Sequence, residues 1–108
     1  MKEITDYKQI RVRENSLTIA LMRKFGGDIQ VKCKYGFIDW INDDTIYELK
    51  NLNKYKEAIG QFLVYSVDLP EMKLGLITFG VVTYNKYIVK EICKKYNIKY
   101  YHIETLNE

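Results

Sequence analysis

The chain has few of the residues that build thiol and transition-metal chemistry. It carries two cysteines, Cys33 and Cys93, and a single histidine, His102. A zinc or iron–sulfur site needs more ligands than these, so both cysteines are expected to be free thiols in the core. His102 has no Cys or His at a useful spacing and reads as a surface or strand-edge residue. The one proline, Pro70, sits in Val67-Asp68-Leu69-Pro70-Glu71, a loop between a helix and a strand. No Gly-rich phosphate loop or nucleophile elbow is present. No apolar run reaches the length of a membrane span, and Met1-Lys2-Glu3 opens no apolar signal segment. The expectation is therefore an intracellular, cytoplasmic protein without a membrane partner. No repeat, low-complexity stretch or linker divides the chain.

What the chain does hold suits one globular domain spanning residues 1–108. Its 108 residues are enough for a single core. Hydrophobic residues make up 47% and charged residues 29%, ordinary values for a globular protein. The net charge of +3 permits nucleic-acid binding without demanding it. The ten tyrosines suit core packing with hydroxyls at its edge, and base stacking is open to some of them.

Periodicity divides the chain into eight elements. Ile10, Leu17, Leu21 and Phe25 recur at helical steps from about Asp6 to Phe25, and Gly26-Gly27 ends that helix. Three strands follow, Asp28 to Lys34, Phe37 to Ile41 and Thr45 to Lys50, turning at Tyr35-Gly36 and Asp43-Asp44. A second helix runs from about Lys54 to Ser66, with Asn53 as its cap. Lys73 to Val82 is nearly all apolar, the mark of a central strand buried on both faces. Asn85 is placed to cap a third helix, Lys86 to Tyr96, and Ile98 to Ile103 forms the last strand. The order αβββαβαβ implies an α/β fold: a mixed central sheet with helices on both faces.

One cluster of residues points to chemistry. With Asp43-Asp44 as a two-residue turn, Asp39 falls opposite Glu48 on adjoining strands. Cross-strand Cβ atoms lie about 4.5–5.5 Å apart, and two carboxylates that close repel by roughly 3 kcal/mol. A bound cation would remove that repulsion. Lys50, two residues beyond Glu48, points to the same face. Two hard oxygen ligands beside an ammonium suit Mg²⁺ and a phosphate. By alternation, Phe37 and Ile41 share one face of this hairpin, and Ile38, Trp40, Tyr47 and Leu49 the other.

Glu14 lies on the apolar stripe of the first helix, between Ile10 and Leu17. A carboxylate facing a core is costly unless it is paired or bound to a cation. Gln61 and Tyr65 stand one turn apart on the second helix, and Lys54 and Lys56 flank its start, where phosphate is attracted.

Taken in order, these residues resemble the PD-(D/E)XK nuclease superfamily. Glu14 matches its first acidic position, and Asp39 its metal-binding aspartate, without the frequent preceding proline. Glu48-Leu49-Lys50 matches the (D/E)-X-K tripeptide, and Gln61-x-x-x-Tyr65 looks like the Q-x-x-x-Y motif of RecB-type branches. The likeness runs from about residue 6 to 83. The small size is closer to Holliday-junction resolvases and virus-type replication-repair nuclease domains, and the four-Cys cluster of iron–sulfur relatives is missing.

The resemblance implies a restriction-endonuclease-like core and a metal-dependent deoxyribonuclease. Asp39, Glu48 and the Leu49 carbonyl would hold Mg²⁺ or Mn²⁺, with Glu14 binding directly, through water or at a second ion. Lys50 would orient or deprotonate the attacking water, Gln61 would position it, and Tyr65, Lys54 and Lys56 would meet the DNA. A domain this small is expected to act as a homodimer or as a module of a larger complex. The alternative is a catalytically silent DNA-binding or accessory interaction protein of the same fold.

Overall fold

The computed structural model describes residues 14–104, Glu14 and Asn15 by their backbone only. The elements are α1 (Glu14–Phe25), β1 (Asp28–Cys33), β2 (Gly36–Asn42), β3 (Thr45–Asn51), α2 (Tyr55–Asp68), β4 (Lys73–Gly80), α3 (Asn85–Lys95) and β5 (Lys99–Glu104). A 3₁₀ turn, Leu52–Lys54, leads into α2. The expected order αβββαβαβ is present. The earlier part of the first expected helix, from Asp6, lies outside the described residues.

The five strands form one sheet in chain order. β1, β2 and β3 are an antiparallel meander, and β3, β4 and β5 run parallel. Antiparallel neighbours can be joined by tight turns, whereas parallel ones need crossovers, which α2 and α3 supply. The turn between β2 and β3 falls at Asp43-Asp44 as expected, with Asp43 at a positive φ of 55° that aspartate tolerates. The preceding turn is Lys34-Tyr35, one residue earlier than expected.

Each face of the sheet buries a different helix set. Leu17 and Leu21 of α1 pack with Trp40, Tyr47, Leu49, Ile77, Phe79 and Ile103. On the other face, Tyr55, Ala58 and Phe62 of α2 and Val89 and Cys93 of α3 close over Leu76. The apolar run of β4 serves both layers, which is why it lacks polar alternation.

Two glycines fit the frame where a side chain would not. Gly27, at φ +86°, lies so close to the Ile41 carbonyl that a Cβ would collide with it. Gly75 lies against the Tyr47 ring in the same way, and that ring stacks on Trp40 at 4.7 Å. Trp40 in turn donates from Nε1 to the Gly26 carbonyl at 2.9 Å, pinning the end of α1 to β2.

The expected helix caps are corrected. Neither Asn53 nor Asn85 caps a helix with its side chain; the cap positions are Lys54 and Tyr84. Asn51 instead accepts from the Asn53 N–H and closes the 3₁₀ turn.

Candidate functional site

β3 carries Glu48 and Lys50, and the parallel register sets Glu48 beside Leu76 and Lys50 beside Thr78. Leu76 packs under α2 and α3, so both Glu48 and Lys50 belong to that face. β2 brings Asp39 alongside.

The β2–β3 ladder pairs Asn42 with Thr45, Ile41 with Ile46 and Trp40 with Tyr47, the expected register. Asp39 and Glu48 do not extend it as a regular pair. The Leu49 N–H donates to Asp39 Oδ2 at 2.9 Å, so a side chain satisfies a buried strand N–H that would otherwise be orphaned. Across β1, Gln30 takes φ 51°, a left-handed conformation uncommon outside glycine. Gln30 falls between the pairs Ile29–Trp40 and Val31–Ile38, level with Asp39.

The sheet turns its faces over at this point. Ile29 and Trp40 pack on the α1 side, whereas Val31 and Ile38 join Ile46 and Tyr65. The expectation that Ile38 shares a face with Trp40 is therefore corrected. Unbroken alternation does not survive a left-handed residue in the neighbouring strand.

Glu48 is fully buried, and neither of its carboxylate oxygens has a hydrogen-bond partner. Burial pushes its pKa up to about 10, and the neighbouring Asp39 carboxyl adds to the effect, opposed weakly by the Asp39 backbone and then by Lys50. A carboxylate in such a place is either protonated or held by a cation.

Gln61 Oε1 is also buried without a hydrogen-bond partner. Lys50, Gln61 and Tyr65 line one open pocket of ≈ 430 Å³, together with Tyr35, Glu57, Gly60 and Val64. Tyr65 is buried, and its hydroxyl donates to the Phe37 carbonyl at 2.8 Å. Burial, with the charges of Glu48, Cys33 and Asp39, pushes that hydroxyl up to about 12. Tyr65 thus ties α2 to β2.

The structure therefore gathers Asp39, Glu48, Leu49, Lys50, Gln61 and Tyr65 about one end of β3. Lys54 and Lys56 are exposed at the start of α2, and the Lys56 ammonium lies over the Tyr55 ring at 6.0 Å. Glu14 opens α1, and its side chain lies outside the described residues.

Of the two places expected for His102, surface or strand edge, the structure gives the strand edge. It sits on the edge strand β5 but is 8% exposed. Nε2 faces the Gly80 carbonyl at 3.0 Å and so carries the proton. Nδ1 then accepts from Thr78 Oγ1 at 2.8 Å, and Thr78 accepts from the Tyr100 hydroxyl at 2.6 Å. The register sets Lys50, Thr78 and His102 in one row across three strands. Nothing local marks this row, because it depends on two helical crossovers. Both cysteines are free, Cys93 in the core and Cys33 at its margin, and burial pushes the Cys93 thiol up to about 11.

A divalent ion would find a partial donor set here. Among the described residues, no group of three or more His, Cys, Asp or Glu side chains is placed to hold a metal. The two acids and the orphaned amide oxygen of Gln61 are hard ligands. Mg²⁺ commonly takes one or two carboxylates and completes its shell with water and phosphate.

By fold and site, the chain is an α/β domain with a five-stranded mixed sheet and a buried acid pair beside a lysine-lined pocket. It is similar to three proteins of Acanthamoeba polyphaga mimivirus named as KilA-N domain-containing, at 42%, 37% and 31% identity. The alignments cover 81%, 80% and 80% of this chain but 35%, 24% and 23% of those proteins. The chain thus spans about a third or less of the length of the curated relatives it matches. No protein-family model matches, and no solved structure matches.

These relatives overturn the resemblance to PD-(D/E)XK nucleases. Their shared name is that of the KilA-N domain and not of a nuclease. The short, degenerate motifs that carried the resemblance fall on real structural neighbours without establishing kinship. Among the described residues, no helix is long and apolar enough to cross a membrane.

Proposed function

We propose that this chain is a DNA-binding domain. The observation that carries this reading is its likeness, over about four-fifths of its length, to proteins named for the KilA-N domain, a DNA-binding domain family. The net charge of +3 is of the right sign for a phosphate backbone, and the exposed Lys54, Lys56, Lys90 and Lys94 supply part of it on the surface. A homodimer or a larger assembly stays part of this proposal and is read by sedimentation. The test is fluorescence anisotropy with labelled DNA across a salt series. Affinity that falls steeply with salt supports the reading, and the absence of any binding at low salt overturns it.

A specific observation favours a second reading, metal-dependent phosphodiester hydrolysis. Glu48 is buried beside Asp39 with both oxygens lacking a hydrogen-bond partner, next to a pocket lined by Lys50 and Gln61. Asp39, Glu48 and Gln61 would hold Mg²⁺ or Mn²⁺, which would supply a more acidic water and a counter-charge for the phosphate. Lys50, which lines the pocket, would hold a phosphate oxygen or the water. Incubating DNA with the protein and Mn²⁺, beside Glu48→Gln, separates the readings. Cleavage that disappears in Glu48→Gln supports hydrolysis, whereas binding without cleavage leaves the DNA-binding reading alone.

A further inference from the structure

We propose that the outer face of α3 is a stacking platform for the bases of single-stranded DNA. The inference rests on the DNA-binding reading and names the place and the form of the ligand. Tyr84 and Tyr87 are 75% and 59% exposed, yet their rings stack on each other, with centroids 5.8 Å apart and planes at 28°. Val81 and Val82, just before them in the chain, are also exposed, and large apolar side chains gathered on a surface usually mark a binding site.

The charge around this patch selects the partner. Lys90 and Lys94 follow Tyr87 at three and seven residues, both exposed, and so continue the same stripe down the helix. α3 carries Lys86, Lys90, Lys94 and Lys95 against the single acid Glu91. Aromatic faces beside a row of ammonium groups fit a strand whose bases stack while its phosphates track the lysines. A duplex keeps its bases stacked inside, where the tyrosine faces cannot reach them.

The platform also begins at the same end of the sheet as the site already described. The Asn85 side-chain amide donates to Asn53 Oδ1 at 3.5 Å, tying the start of α3 to the turn that follows β3. Both connections leave the same edge of the parallel strands, the edge that Lys50 approaches.

The test compares anisotropy on a labelled oligothymidylate and on a duplex of equal length. Tyr84→Ala/Tyr87→Ala is expected to weaken single-strand binding by about fivefold or more for each base left unstacked, with duplex binding unchanged. Tyr84→Phe/Tyr87→Phe keeps the rings and should retain wild-type affinity. Lys90→Ala/Lys94→Ala should make the logarithmic salt slope shallower by roughly 0.7 for each phosphate that no longer has a lysine partner. All four side chains are exposed, and circular dichroism checks that the fold is kept. Unchanged single-strand affinity in the double alanine variant overturns the platform and leaves the DNA-binding reading standing. Equal weakening on single strand and duplex also overturns it, because the rings would then not be reading unpaired bases. A wild-type protein that binds neither oligonucleotide overturns both.

Discussion

Replacing Glu48 with glutamine should make the metal-free protein more stable at neutral pH, and the gain should grow as pH rises. Glu48 is fully buried, and its pKa is raised from an ordinary carboxyl value to about 10, by burial first and by Asp39 second. Between the unfolded value of about 4.5 and that folded value, the native state holds a proton that the unfolded chain has released. Stability then falls as pH rises, by up to about 1.4 kcal/mol per pH unit for one proton. Because the two carboxyls act on each other, that proton belongs to the pair. From pH 5.5 to 7.5 the loss reaches about 2.7 kcal/mol. In a domain of this size that is a fall of roughly 10–20 °C in Tm.

Other groups also titrate over this interval, so the quantity to measure is the difference between the wild type and Glu48→Gln. Urea unfolding in EDTA at pH 5.5, 6.5 and 7.5 gives it directly. The two proteins should diverge with pH, glutamine being increasingly favoured. Parallel pH profiles would refute the claim that the acid pair holds a proton near neutrality. Adding Mn²⁺ at pH 7.5 should narrow the gap, because a cation takes the place of that proton.

Three further outcomes are expected. Mn²⁺ at about a hundred times its Kd should stabilise the protein by about 2.7 kcal/mol in thermal unfolding, and Asp39→Ala should abolish the response. Gly75→Ala, whose Cβ would run into the Tyr47 ring, should cost about 1–3 kcal/mol in urea unfolding. Gln30→Gly relieves a left-handed φ of 51° and should add about 1 kcal/mol, read in the same assay.

The periodic parts of this fold can be read from the chain because each element buries a whole face. Leu17 and Leu21 of α1 and the apolar run of β4 announce their partners by spacing alone. The capping residues cannot be read this way. Asn53 and Asn85 are good caps by type, but the backbone sets the cap positions one residue away, at Lys54 and Tyr84. His102 is opaque because Thr78 and Gly80, which satisfy its ring, lie on another strand.

The candidate site is legible in its composition but not in its geometry. Asp39 and Glu48 do come together, but not as facing members of a regular ladder, since Asp39 turns to take the Leu49 N–H. That hydrogen bond explains the asymmetry of the pair. One Asp39 oxygen has a backbone donor, whereas neither Glu48 oxygen has a hydrogen-bond partner. It follows that Asp39→Asn, which keeps an acceptor for Leu49 and removes one of two repelling charges, should bring the Glu48 pKa down without releasing β2 from β3. Carbonyl-region NMR of labelled glutamate would follow that titration. An unchanged Glu48 titration in Asp39→Asn would mean that burial alone raises it and that the two acids do not act as a pair.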